Sequence, residues 1–119
     1  MIVAGLGFRS GCPAGDILQA VHTAQDRAGC IAASLAAPDW KRHEPGLHDA
    51  AGRLGLPITF IDATALAAVQ PHCPTRSAVA ERATGIASVA EGAALAASGG
   101  RLLLPRIAHG GATCALAGP

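Results

Sequence analysis

Short apolar runs alternate with helix-patterned segments from one end of the chain to the other, and this alternation constrains the fold more than any other feature. Residues 2–6 (Ile-Val-Ala-Gly-Leu) read as a buried strand, followed by a turn-rich segment through Cys12. Pro13 suits the first turn of a helix, where its missing donor is harmless. Asp16 adds a favourable charge near that start, and Ile17, Leu18, Val21, Ala24 and Ala28 follow helical spacing up to a stop at Gly29. The pattern predicts a second strand over 30–35, a polar loop over 38–46, a short helix over 47–54 stopped near Gly55, and a third strand over 56–61. Asp62 is placed to cap a helix over 63–69. A surface connection with two prolines (70–77) and a helical turn (79–83) precede Ser88 and Glu91, whose spacing reads as a capping box. That box opens a helix to about residue 97, closed by Gly99-Gly100. A strand over 101–104 ends at Pro105, Gly110-Gly111 marks a turn, and 112–117 form a last strand.

The expected order is β-α-β-α-β-α-α-β-β. It predicts an α/β fold in a single domain over residues 1–119, with a mostly parallel twisted sheet and helices on both faces. The last two strands, joined by a short link, fit a hairpin. Only 3% of the 119 residues are aromatic while 50% are hydrophobic, so the core must be built from Leu, Ile, Val and Ala. Small side chains let elements approach closely but bury little area each, which leaves room for a homo-oligomer interface to contribute.

A formal net charge of +1 argues against a nucleic-acid partner, which calls for a basic stripe. No run of about 18 apolar residues occurs, so no membrane span is expected. The start lacks a basic leader region, and the cytoplasm is the expected compartment. The four cysteines, Cys12, Cys30, Cys73 and Cys114, are scattered without a C-x-x-C pair. They predict free, mostly buried thiols and no metal site or cofactor. Lys41 is the only lysine; every other cation is an arginine, the side chain that grips carboxylates bidentately.

Four segments carry candidate chemistry. Gly7, Phe8, Arg9, Ser10, Gly11 and Cys12 lie where a strand meets a helix start, a place where amides and the helix dipole favour an anion. Ser10 stands where a dinucleotide fingerprint needs its third glycine, so NAD binding is excluded; an ordinary glycine-rich turn fits the same residues. Asp39, Lys41, His43 and Glu44 follow the second strand. Lys41 and Glu44 can form a solvated ion pair, or Lys41 can meet a ligand carboxylate while Glu44 or His43 acts as general base. Ser88 and Glu91 read first as a helix cap, and a capped helix start still offers amides to an anion. Arg106, Gly111 and Thr113 lie in the tail, either in a hairpin loop or against a ligand. Cys12 at a helix start can have a lowered pKa, although a buried, capping cysteine fits as well. His22, His48 and His72 read as surface residues.

Taken together, these segments resemble one family. Gly5-x-Gly7-x-Arg9-x-Gly11, Asp39-x-Lys41-x-x-Glu44-x-Gly46, Thr84-Gly85-x-x-Ser88-Val89-Ala90-Glu91 and a glycine-bearing tail ending in Thr113-x-Ala115 are similar, in order and spacing, to CobE and the C-terminal domain of CbiG. Phe8 and Ser10 stand where the commoner pattern has a cysteine and a second basic residue. The resemblance implies a part in building the corrin ring of cobalamin. CbiG-type proteins open a lactone on a cobalt-precorrin and release acetaldehyde in the anaerobic route, and the stand-alone CobE type belongs to the aerobic route. It also implies a corrin or precorrin ligand ringed by carboxylates, with other pathway enzymes as partners. To meet such a ligand, two helix starts, Arg9, Lys41 and Arg106 are expected to converge on one cleft at the carboxyl edge of the sheet.

Overall fold

The computed structural model describes all 119 residues. In chain order its elements are β1 (Val3–Phe8), α1 (Ala14–Ala28), β2 (Ser34–Pro38), a 3-10 turn (Asp39–Lys41), α2 (Pro45–Leu54), β3 (Ile58–Ile61), α3 (Ala63–Val69) and a second 3-10 turn (Gln70–His72). Then come α4 (Ala78–Thr84), α5 (Val89–Ser98), β4 (Arg101–His109) and β5 (Ala112–Gly118). The strands form one sheet in the order β3-β2-β1-β5-β4. β1, β2 and β3 are parallel, and β5 runs against both β1 and β4. Four of the five strands therefore share one direction, and the hairpin inserts its second strand beside β1. The α/β expectation holds, with the C-terminal pair antiparallel.

α1 and α2 cover one face of the sheet. Their buried positions (Ile17, Ala20, Val21 and Ala24 on α1; Leu47, Ala50 and Ala51 on α2) join Leu6, Leu35 and Leu116 in the larger core. α3 and α5 cover the other face, where Val3, Ala36, Ile61, Leu66 and Ala93 meet. Each fully buried Leu or Ile contributes about 2 kcal/mol and each Ala far less. The shortfall is met by proximity. A Cβ on Gly5 would collide with the backbone carbonyl of Ala90 and lie 2.7 Å from the Ala94 Cβ. Only glycine lets α5 sit so close to β1. Gly92 does the same on the helix's outer side, where a Cβ would lie 2.8 Å from Gln70 Nε2 and 3.2 Å from Leu66 Cδ2. α5 is thus sandwiched between sheet and α3, and Ala90 through Leu95 are all buried.

Several boundaries move from the sequence expectation. β2 begins at Ser34 rather than at Cys30, and runs through Pro38, which is buried at the strand's end instead of opening the loop. α2 starts at Pro45, two residues early, with proline in its first turn. β4 does not stop at Pro105 but continues to His109. It is an edge strand whose register slips between Leu102 and Leu104 and again between Leu104 and Ile107, so a residue without an N–H costs no ladder bond there.

The second slip leaves the Arg106 amide without a strand partner, and Glu91 takes it. Glu91 is fully buried; its Oε2 accepts from Arg106 N (3.0 Å), and its Oε1 accepts from Thr75 N (2.9 Å) and Ser88 Oγ (2.8 Å). The expected capping box is therefore absent. Ser88 is the N-cap of α5, but its hydroxyl donates to Glu91 rather than accepting from a helix amide. Burial alone pushes the Glu91 pKa up, yet the amides of Arg106 and Thr75 and the Ser88 hydroxyl outweigh it and hold the carboxyl below its ordinary value of 4.5.

The cysteines are all free, and Cys12, Cys73 and Cys114 are buried. Burial pushes the Cys114 thiol up to about 12, which leaves it a small hydrophobe. No helix is long and apolar enough to cross a membrane.

Two outcomes follow for stability. Gly5→Ala forces α5 off the sheet and lowers stability by roughly 2–3 kcal/mol, whereas Gly52→Ala, with nothing near its Cβ, raises it by roughly 0.5 kcal/mol; urea midpoints compare the two. For Glu91, a folded-state pKa below the unfolded one means its contribution is present above about pH 4.5 and is lost as pH falls through the folded value. Glu91→Gln is expected to cost at least about 2 kcal/mol at neutral pH, by turning a donor toward donors, and to flatten the acid limb of a Tm-against-pH curve.

Candidate functional site

The carboxyl ends of β1 and β2, the far end of β4 and the start of β5 border a cleft of about 700 Å³. In open α/β sheets this edge is where ligands bind, because strand ends and helix starts point there together. Gly7, Phe8, Arg9 and Ser10 line it from β1 and the loop beyond. Lys41 comes from the 3-10 turn after β2, Arg106 from β4, and Gly111 and Thr113 from the hairpin. Thr113 Oγ1 donates to the Gly7 carbonyl (3.1 Å), and the space beside Gly7 is too small for a Cβ because that hydroxyl fills it.

Three cations thus line one cleft. Lys41 is held in place: its Nζ lies 3.3 Å from Ser10 Oγ and 5.4 Å from the centre of the Phe8 ring. The side chains of Arg9 and Arg106 make no ion pair, since the protein's two salt bridges, Arg53–Asp49 and Arg76–Glu81, involve other groups. No Asp or Glu lines the cleft. Val89 and Ala90 bring the start of α5 to the same wall. Because the Ser88 hydroxyl is engaged by Glu91, the first amides of that helix have no side-chain cap, and its dipole adds about half a positive charge. The wall itself thus presents three cations and a helix start, while the nearest buried carboxylate, Glu91, lies beneath it in the first turn of α5.

Seven of the sequence candidates do not line the cleft. Glu44 accepts from the Gly11 amide (2.7 Å), so it ties down the loop after β1. Of the two readings of Lys41 and Glu44, the mutual ion pair does not form; each has a partner in that loop instead. Gly11 takes φ +77°, which a glycine allows, and turns the chain into α1. Cys12 is buried in the larger core. Its pKa is raised, mainly by burial, with Asp16 and Glu44 adding and Lys41 opposing, in keeping with the buried-cysteine reading. Asp39 opens the 3-10 turn, where its carbonyl accepts from Arg42. Ser88 and Glu91 lie beneath the cleft and position what does line it. His43 is exposed and also stands apart from the cleft.

The sequence reading missed the apolar part of the wall. Trp40, the only tryptophan, is 39% exposed, and Val79 on α4 is 67% exposed. Both line the cleft with Ala80, Ala83 and Ala108. A lone tryptophan inside a charged loop was the available signal. A second depression of about 440 Å³ opens near Val69, Leu95 and Arg101. It lies at the carbonyl end of α5, the wrong pole for an anion.

A family profile described as "Cobalamin synthesis G C-terminus" matches residues 2–117. Protein CobE of Sinorhizobium sp is 34% identical over 123 residues, covering 99% of this chain and 80% of the relative. The crystal structure of CobE, described as a protein from the cobalamin (vitamin B12) biosynthetic pathway, shares 37% identity over 98% of this chain and 89% of its own, with a TM-score of 0.91. Cobalamin biosynthesis protein chiG from Agrobacterium tumefaciens str. C58 shares 32% identity over 99% and 98%, with a TM-score of 0.78. A profile and full-length relatives agreeing over nearly every residue leave one assignment: the chain belongs to the CobE and CbiG C-terminal domain family and is a cobalamin biosynthesis protein.

Proposed function

We propose that the cleft binds a polycarboxylate corrin or precorrin intermediate and that the protein serves as a cytoplasmic carrier or accessory factor of the aerobic route, passing its ligand to other enzymes of the pathway. One observation carries this reading: Arg9, Lys41 and Arg106, from three separate segments, line one cleft that holds no carboxylate. Such a ligand is a broad ring with acetate and propionate arms, and it needs separated positive groups around an apolar floor. Charge-assisted hydrogen bonds from two guanidinium groups, an ammonium and the free amides of α5 supply the first. Trp40, Phe8, Val79 and the alanines supply the second.

The carrier role is favoured over hydrolysis by the same wall. It presents no imidazole, thiol or carboxylate, and Glu44, the candidate base, stands outside it and accepts from the Gly11 amide. Product formed from a purified precorrin, and lost in Glu44→Gln, is the result that favours the enzymatic reading instead.

Titration of the protein with a series of corrin intermediates, followed by absorbance, tests the proposal. Arg9→Ala, Lys41→Ala and Arg106→Ala are each expected to weaken binding roughly tenfold or more, the loss of one charge-assisted contact. Each is also expected to make binding less sensitive to salt. Affinity unchanged in all three variants contradicts the proposal.

A further inference from the structure

α4 is unlike the other helices. None of its seven residues is buried. Its hydrogen bonds are local: Ser77 Oγ accepts from Ala80 N, Thr84 Oγ1 donates to the Ala80 and Ile86 carbonyls, and Arg76 pairs with Glu81. The segment joins the body only at its two roots. At one root the Thr75 amide donates to buried Glu91. At the other, Ile86, Ala87 and Ser88 are buried. A single backbone bond, Ser77 N to the Ala87 carbonyl (2.8 Å), closes the neck between them. Gly85, at φ +79°, ends the helix just before the second root. A helix with so little burial and no polar tie to its surroundings lies at the low end of local stability.

The side it turns to the cleft is mostly apolar. Val79, Ala80 and Ala83 share one helical face and line the cleft, joined at the helix end by Thr84, whose hydroxyl is bonded within the segment, while Glu81 and Arg82 do not line it. Trp40 adds a large exposed ring from the turn after β2. A solvent-exposed valine and tryptophan bordering a cleft that otherwise displays three cations leave apolar area uncovered in the free protein. The charges select carboxylates; the apolar area selects a ligand that also has a broad apolar face.

We propose that α4 is a flap hinged at residues 75–77 and 85–87, and that Val79, Ala80 and Ala83, with Trp40, pack on the flat apolar face of the ring once its carboxylates are held. This rests on the binding role argued above and adds the requirement that distinguishes a macrocycle from any small polyacid. The ordering of α4 is coupled to occupancy of the cleft, so a bound ring shields itself from water and a partner that opens the flap releases it.

The test uses cobyrinic acid, a corrin with its side chains as free acids, and citrate as a compact polyacid. Hydrogen–deuterium exchange reads the amides of residues 78–85, and absorbance reads binding. In the free protein these amides exchange faster than those of α1 or α5. Cobyrinic acid is expected to slow them at least tenfold, and citrate to leave them unchanged. Val79→Asn, at a position exposed enough to keep the fold, is expected to weaken cobyrinic acid binding roughly five- to tenfold, with citrate affinity unaffected. Binding of cobyrinic acid that neither slows these amides nor responds to Val79→Asn overturns the flap and leaves the binding role standing. No binding of cobyrinic acid overturns both.

Discussion

The close seat of α5 on β1 is the contact on which the remaining architecture rests. Gly5 removes the side chain that would hold the helix away, and the alanines of α5 present a smooth surface to the sheet. Once α5 lies there, its first turn reaches the carboxyl end of β1 beside Gly7. Its third residue, Glu91, reaches the slipped register of β4 and the root of α4. A helix displaced by one methyl group would lose both connections. In a chain with few aromatics, such proximity replaces the bulk that larger side chains supply elsewhere.

Glu91 links this packing to the cleft. A buried carboxylate costs several kcal/mol unless its lone pairs are filled, and here two amides and a hydroxyl fill them. The same bonds fix the backbone at Arg106, which lines the cleft, and at Thr75, from which the flap departs. On the opposite side of β1, Glu44 plays a parallel part by fixing Gly11 and with it the loop that carries Arg9 and Ser10. Two acids, neither in the cleft wall, thus shape a wall that contains none. That division leaves the three cations as the charged groups that a polyanion meets at the wall itself.

Much of the scaffold was legible in the sequence because its signals are local. Gly29, Gly55 and Gly99 end helices in the left-handed conformation, and Asp62 caps α3 through Ala65 N at 2.8 Å. The family resemblance was legible through order and spacing alone. What the sequence hid was set by distant partners. Ser88 and Glu91 carry the spacing of a capping box, but in the buried setting Glu91 turns to the amides of Thr75 and Arg106 and the Ser88 hydroxyl turns to Glu91. Lys41 and Glu44 look like a surface pair, yet Ser10 and Gly11, more than thirty residues away, claim them. Pro38 and Pro105 read as strand breakers, but one ends a buried strand and the other sits in an irregular edge. Trp40 and Val79 have no spacing that ties them together, so only the fold shows them on one wall.

Chemical-shift mapping of the isotope-labelled protein during titration with cobyrinic acid tests most directly whether these scattered groups form one binding surface. The account predicts that the largest shifts fall on Gly7 to Ser10, Trp40 and Lys41, Val89 and Ala90, and Arg106. Shifts confined to Val69, Leu95 and Arg101 at the other end of α5, or spread evenly over the surface, contradict it.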